Sequence, residues 1–139
     1  MNSDTMFLAQ VAPSDDEIAW ADELARELRR LGYDVFQEWP PVNRSSQPEI
    51  EQALRRAATI VFVTDGSPTD LWTLAFHYGM VLFGDKVMAV VTPPGVVLRF
   101  DQEADIHEHQ VTASSPHETA VAVAAKINGF RRASRSAAD

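Results

Sequence analysis

Apolar residues recur along this chain in two rhythms, and the rhythms alternate. Residues 6–11, 33–38, 59–64 and 86–92 form short apolar or β-branched runs, and TIVFVT at 59–64 has no charged interruption. Strands of that composition are covered on both faces, as in a parallel sheet. Between the runs the spacing changes to three and four. Ile18, Ala21, Leu24, Leu28 and Leu31 mark a helix that follows Ser14 and Glu17, a capping-box spacing, and Gly32 stops it. Ser46 and Glu49 repeat the spacing with Pro48 in the first turn, which predicts a second helix to about Ala58. Residues 70–83 are apolar almost all round and end at Gly84, the pattern of a helix buried against a sheet and a further surface. Ser115, Pro116 and Glu118 open a last helix, whose stripe of Ala120, Val121, Ala124 and Ile127 ends at Gly129. Residues 96–110 read as loop, with a short fifth strand over 107–111.

Strands that alternate with helices need crossover connections, so the fold class is α/β: a flavodoxin-like three-layer sandwich with a mostly parallel five-stranded sheet in the order 2-1-3-4-5. Ligands of such sheets bind beyond the carboxyl ends of the strands. Here that crevice is bordered by the loops that begin at Gln10, Trp39, Asp65 and Pro93. Residues 1–130 are expected to form one domain. The segment RRASRSAAD at 131–139 has no apolar periodicity and is expected to be a disordered basic tail.

Composition narrows the chemistry. With 139 residues the length suits one domain, and 12 basic against 20 acidic residues give a net charge of −8, which repels a nucleic acid polymer. No apolar run approaches the roughly 20 residues that span a bilayer, so no membrane partner is expected. Met1-Asn2-Ser3-Asp4 carries no positive leader region, which makes the cytoplasm the expected location. The chain has no cysteine, excluding disulfides and thiolate sites. There is no glycine-rich phosphate loop and no G-x-S-x-G elbow, and no cofactor is expected. His107 and His109 alternate as on one strand face, but sequence fixes no third ligand, so no metal site is assigned.

Three segments carry a family likeness. Phe7-Leu8-Ala9 resembles the opening strand of nucleoside deoxyribosyltransferases. Asp65-Gly66-Ser67-Pro68-Thr69-Asp70-Leu71-Trp72-Thr73 is similar to that family's DG followed by D-x-G-T, and Gly79 through Gly84 to Val87 resembles the buried helix and strand that come next. Toll/interleukin-receptor (TIR) domains show a similar layout, with a small hydroxylated residue closing the third strand, here Thr64, and a tryptophan opening the next helix, here Trp72. The resemblance implies a site for a nucleoside, nucleotide or NAD-like ligand, to which Gln10, Trp39, Asp65, Asp70, Trp72 and Phe76 would contribute. A TIR-like protein-interaction module is the alternative it leaves open.

The departure from the family is chemical. In the transferases a glutamate three residues after the motif's threonine faces the anomeric carbon, and the matching position here is Phe76. Cleaving an N-glycosidic bond develops oxocarbenium charge, which a carboxylate stabilises and a benzyl ring does not. The motif glycine beside the sugar is Trp72, a bulkier group. Any surviving catalysis would fall to Asp70, which equally suits a helix N-cap, or to His77, which equally suits a buried hydrogen-bonded histidine. Asp65 before Gly66 is also a turn former, and Trp39 and Trp72 serve either as a clamp on a base or as packing.

Leu71, Trp72, Leu74, Phe76, Met80, Val81 and Phe83 occupy more of the circumference of the helix at 70–83 than one sheet covers, so a homo-oligomer through that helix is expected. Light scattering at micromolar concentration should return a mass above that of one chain; the mass of a single chain would count against the expectation.

Overall fold

The computed structural model describes residues 5–10, 15–37, 47–64, 86–96 and 108–138. These form, in chain order, β1 (Thr5–Gln10), α1 (Asp15–Arg30), β2 (Asp34–Gln37), α2 (Gln47–Arg56), β3 (Thr59–Val63), β4 (Val87–Thr92), β5 (Gln110–Thr112) and α3 (Pro116–Ala138). The five strands make one sheet in the order β2-β1-β3-β4-β5, and every neighbouring pair is parallel. This is the order and the fold class that the alternating rhythms predict. The helix expected over 70–83 lies outside the described residues.

Period-two alternation divides the buried side chains between two faces. Met6 and Leu8 of β1, Val61 of β3 and Ala89 and Val91 of β4 pack with Leu24, Ala25 and Leu28 of α1 and Ala120, Val123 and Ile127 of α3. Phe7, Ala9, Ile60, Phe62, Met88 and Val90 point the other way, towards Ala53 and Leu54 of α2. Each central strand is therefore apolar at consecutive positions because both of its faces are covered, giving three layers.

Helix ends follow local chemistry. Gly32 has φ of +100°, and the backbone bonds Gly32 N to Arg29 O (3.0 Å) and Tyr33 N to Leu28 O (3.2 Å) close α1 in a Schellman arrangement. Leu31, expected on the buried stripe, is 46% exposed because it stands at this end, and Ala25 takes the inward place. Lys86 Nζ donates to Arg55 O at 3.0 Å and also to Ala57 O, meeting carbonyls at the end of α2. Burial lowers the pKa of that ammonium. The charged form is thus disfavoured on folding, a penalty present at neutral pH that lifts as pH rises towards the ordinary lysine range. At α3, Ser115 Oγ accepts from Glu118 N at 3.1 Å, the expected cap, and Ser114 N donates to Thr119 Oγ1 at 2.9 Å.

Two expectations shift. The fifth strand is Gln110–Thr112 rather than 107–111. The last helix does not stop at Gly129, and residues 131–138 are helical rather than a disordered tail. Phe130 stacks on His109 with ring centroids 4.6 Å apart, and Arg131 Nη2 donates to Thr59 Oγ1 at 2.8 Å, so tertiary contacts carry the helix past the glycine. The alanines and arginines beyond it favour helix as well.

Gly129 has ordinary helical geometry, and a Cβ placed there would meet nothing within 4 Å. Gly129→Ala should therefore stabilise the protein by about 0.5–1 kcal/mol in urea melts. A loss of stability would mean that the glycine is a helix terminator after all.

Candidate functional site

The sheet register sets the floor of a cleft. Gln10 of β1 stands beside Val63 of β3, Val63 beside Val91 of β4, and Val91 beside Val111 of β5. All four follow, two residues on, positions that face α1 and α3 or belong to that face themselves, so they form one row at the carboxyl ends of the strands. Above the row lies a cleft of about 380 Å³, which Trp20 and the first turns of α1 border on one side and Pro93, Pro94, Ala113 and Ser114 on the other. Its lining is chiefly apolar.

The Pro93-Pro94 wall is built by turn chemistry. Gly95 has φ of +83° and Val96 N bonds Pro93 O at 3.4 Å, a type II turn with proline and glycine at its two central positions. Gln110 braces that turn, since its Nε2 donates to the buried Thr92 Oγ1 at 2.7 Å and to Val96 O at 3.0 Å. Ala113 N bonds Thr92 O at 2.7 Å, which holds the far wall to β4.

Gln10 is the one polar member of the row. Its residue is 3% exposed, its Nε2 donates to Glu17 O across a long 3.4 Å, and its Oε1 is buried without a hydrogen-bond partner. Turning the amide over would set Oε1 against the Glu17 carbonyl, acceptor against acceptor, so the carbonyl fixes the orientation. An unmet buried acceptor costs about 1–3 kcal/mol, and an apolar residue would fit the row without that cost. The electrostatic character of the cleft is acidic: Asp16 and Glu17 stand at its rim, no lysine or arginine lines it among the described residues, and α1 starts with Asp15, Asp16 and Glu17 at its positive end.

Of the residues singled out from sequence, Gln10 is at the cleft, as the strand-end argument requires. Trp39, Asp65, Asp70, Trp72, Phe76 and His77 lie outside the described residues. His107 does too, whereas His109 donates from Nδ1 to Met88 O at 2.9 Å and is occupied in packing. No cluster of three histidines, acids or cysteines suited to a metal occurs among the described residues. Sequence reading missed Trp20, although its spacing of four from Leu24 carries the apolar stripe of α1 one turn beyond the core. It also missed Ser114 and the role of Gln110, which only the return of β5 beside β4 brings close.

Comparison with solved structures meets this geometry at the level of architecture. The 2-deoxyribosyltransferase of the psychrotolerant bacterium Bacillus psychrosaccharolyticus, described as a biocatalyst for the synthesis of antiviral and antitumoral nucleosides, superposes with a TM-score of 0.57 at 16% identity, over 83% of this chain and 89% of that one. The likeness establishes the fold. The TIR domains of the activated Roq1 resistosome, which recognises the pathogen effector XopQ, give a TM-score of 0.50 at 14% identity over 87% of this chain and 69% of theirs. No protein-family model and no curated protein sequence matches the chain. Both structural likenesses are to proteins of the kinds that the residue patterns resemble, and they bear on the fold alone.

Gln110→Met removes the donors to Thr92 Oγ1 and Val96 O and leaves a buried hydroxyl without its partner. We expect a loss of about 1–2 kcal/mol in denaturant melts; unchanged stability would show that the Pro93-Pro94 wall stands without this brace.

Proposed function

We propose that this chain binds a nucleoside-type ligand in the cleft at the carboxyl ends of β1, β3 and β4 and does not cleave its N-glycosidic bond. The observation that carries the reading is the cleft itself. It lies where open parallel sheets bind ligands, next to the point at which strand order reverses between β1 and β3, and its volume falls within the roughly 300–1,000 Å³ of small-molecule sites. The deoxyribosyltransferase likeness supports the class of ligand, and the apolar walls with Trp20 suit the face of a base.

The absence of cleavage rests on Phe76, which stands in the sequence where the resembling family carries its glutamate. A charge-stabilising group of that kind is worth about 3 kcal/mol or more of barrier, at least a hundredfold in rate. Asp70 precedes position 76 by nearly two helical turns, and His77 would be displaced by about 100° around a helix and carries the wrong charge when protonated. A second reading, a TIR-like interaction module, draws on the likeness to the Roq1 TIR domains and on the apolar segment 70–83.

Titration with 2′-deoxynucleosides should give saturable binding, and incubation with NAD and the same deoxynucleosides should release no nicotinamide or free base on chromatography. Binding without turnover supports the reading. Turnover abolished by Asp70→Ala or His77→Ala would overturn its noncatalytic half, and failure to bind any nucleoside, with self-association intact, would favour the interaction module.

A further inference from the structure

Gln10 occupies a place that the sheet reserves for apolar side chains. Its neighbours along the row, Val63, Val91 and Val111, are valines, and two residues earlier on β1 the same face presents the fully buried Leu8. A glutamine among them, on the cleft side of the sheet and 97% buried, has one amide atom in a long bond to Glu17 O and the other without a partner. What Oε1 lacks is a donor. The rim adds a second constraint of independent origin. Strand-to-helix turns at this position of an open sheet commonly hold phosphate on the first N–H groups of the helix. Here Asp15, Asp16 and Glu17 already lie at that end of α1, and no described lining residue is basic.

Resting on the nucleoside-type reading above, we propose that the cleft is selective for an unphosphorylated nucleoside or free base, with Gln10 Oε1 accepting a hydrogen bond from a ligand N–H or O–H and Asp16 and Glu17 excluding phosphate. Gln10 then acts as a specificity determinant: a small rotation of its amide, held by only one long bond, turns Oε1 to an incoming donor. Trp20 and the proline wall supply the apolar faces for a planar ring, and the exposed carboxylates of the rim repel a 5′-phosphate brought close to them.

Calorimetric titration of the full chain with 2′-deoxyadenosine and with its 5′-monophosphate separates the possibilities. The native protein should bind the nucleoside at least tenfold more tightly than the monophosphate. Gln10→Met, which keeps the length of the side chain and removes the acceptor, should weaken nucleoside binding about tenfold without lowering the melting temperature. The double variant Asp16→Asn, Glu17→Gln changes exposed side chains only and should narrow the gap between the two ligands severalfold. Equal or tighter binding of the monophosphate by the native protein would overturn the selectivity, and unchanged nucleoside affinity in a folded Gln10→Met would overturn the role of Gln10; in either case nucleoside binding, and with it the broader functional reading, would stand. No binding of either ligand would remove that reading and the inference together.

Discussion

Everything in this molecule depends on β1, β3 and β4 being buried on both faces. Parallel neighbours cannot be joined by tight hairpins, so the chain must leave the sheet after each strand and return across one face. Once Phe7, Phe62 and Met88 require cover on one side and Leu8, Val61 and Ala89 on the other, helices have to be shared between the two faces. That need places α1 and α3 together over one face and α2 over the other. It also gathers the carboxyl ends of the strands at a single end of the sheet, where the walls of the cleft arise from connections and not from added structure.

Much of this was legible in the chain because the two periodicities are clean. TIVFVT and VMAVVT read as doubly covered strands without reference to anything else, and the strand order followed from their alternation with capped helices. Gly32 stopped its helix as composition suggests, through a positive φ that only the turn requires. Gly129 did not, because the stop signal of a glycine is conditional on where the chain goes next: with Phe130 drawn to His109 and Arg131 to Thr59, continuing the helix satisfied more groups than ending it. Contacts of that kind join residues far apart in sequence and leave no local trace. The fifth strand was displaced for a related reason, since three residues carry too little pattern to fix a register that β4 decides.

The candidate site was legible in outline and not in detail. The rule that ligands sit at strand ends brought out Gln10, which local pattern alone would have passed over as a polar residue ending a strand. Its unmet acceptor is a property of the folded arrangement, visible only when Val63 and Glu17 are in place around it. The bracing role of Gln110 likewise needs β5 laid against β4. Residues 16 and 17 read in sequence merely as a helix start; their charge acquires meaning from the cleft they border.

The two outer strands carry a further consequence. β2 has four residues and β5 three, against five or six in the strands between them, and β2 is held from the side by Arg29, which donates to Val35 O and Gln37 Oε1, and by Gln37 Nε2, which donates to Asp22 Oδ1. A passing chain that tried to prolong the sheet would find short borders, one of them with Asp34 exposed and a glutamine whose amide is already spoken for. Short, charged borders are a known defence against strand-to-strand aggregation. The same brevity that makes β5 hard to read in the sequence keeps the apolar middle of the sheet from becoming a template for fibres.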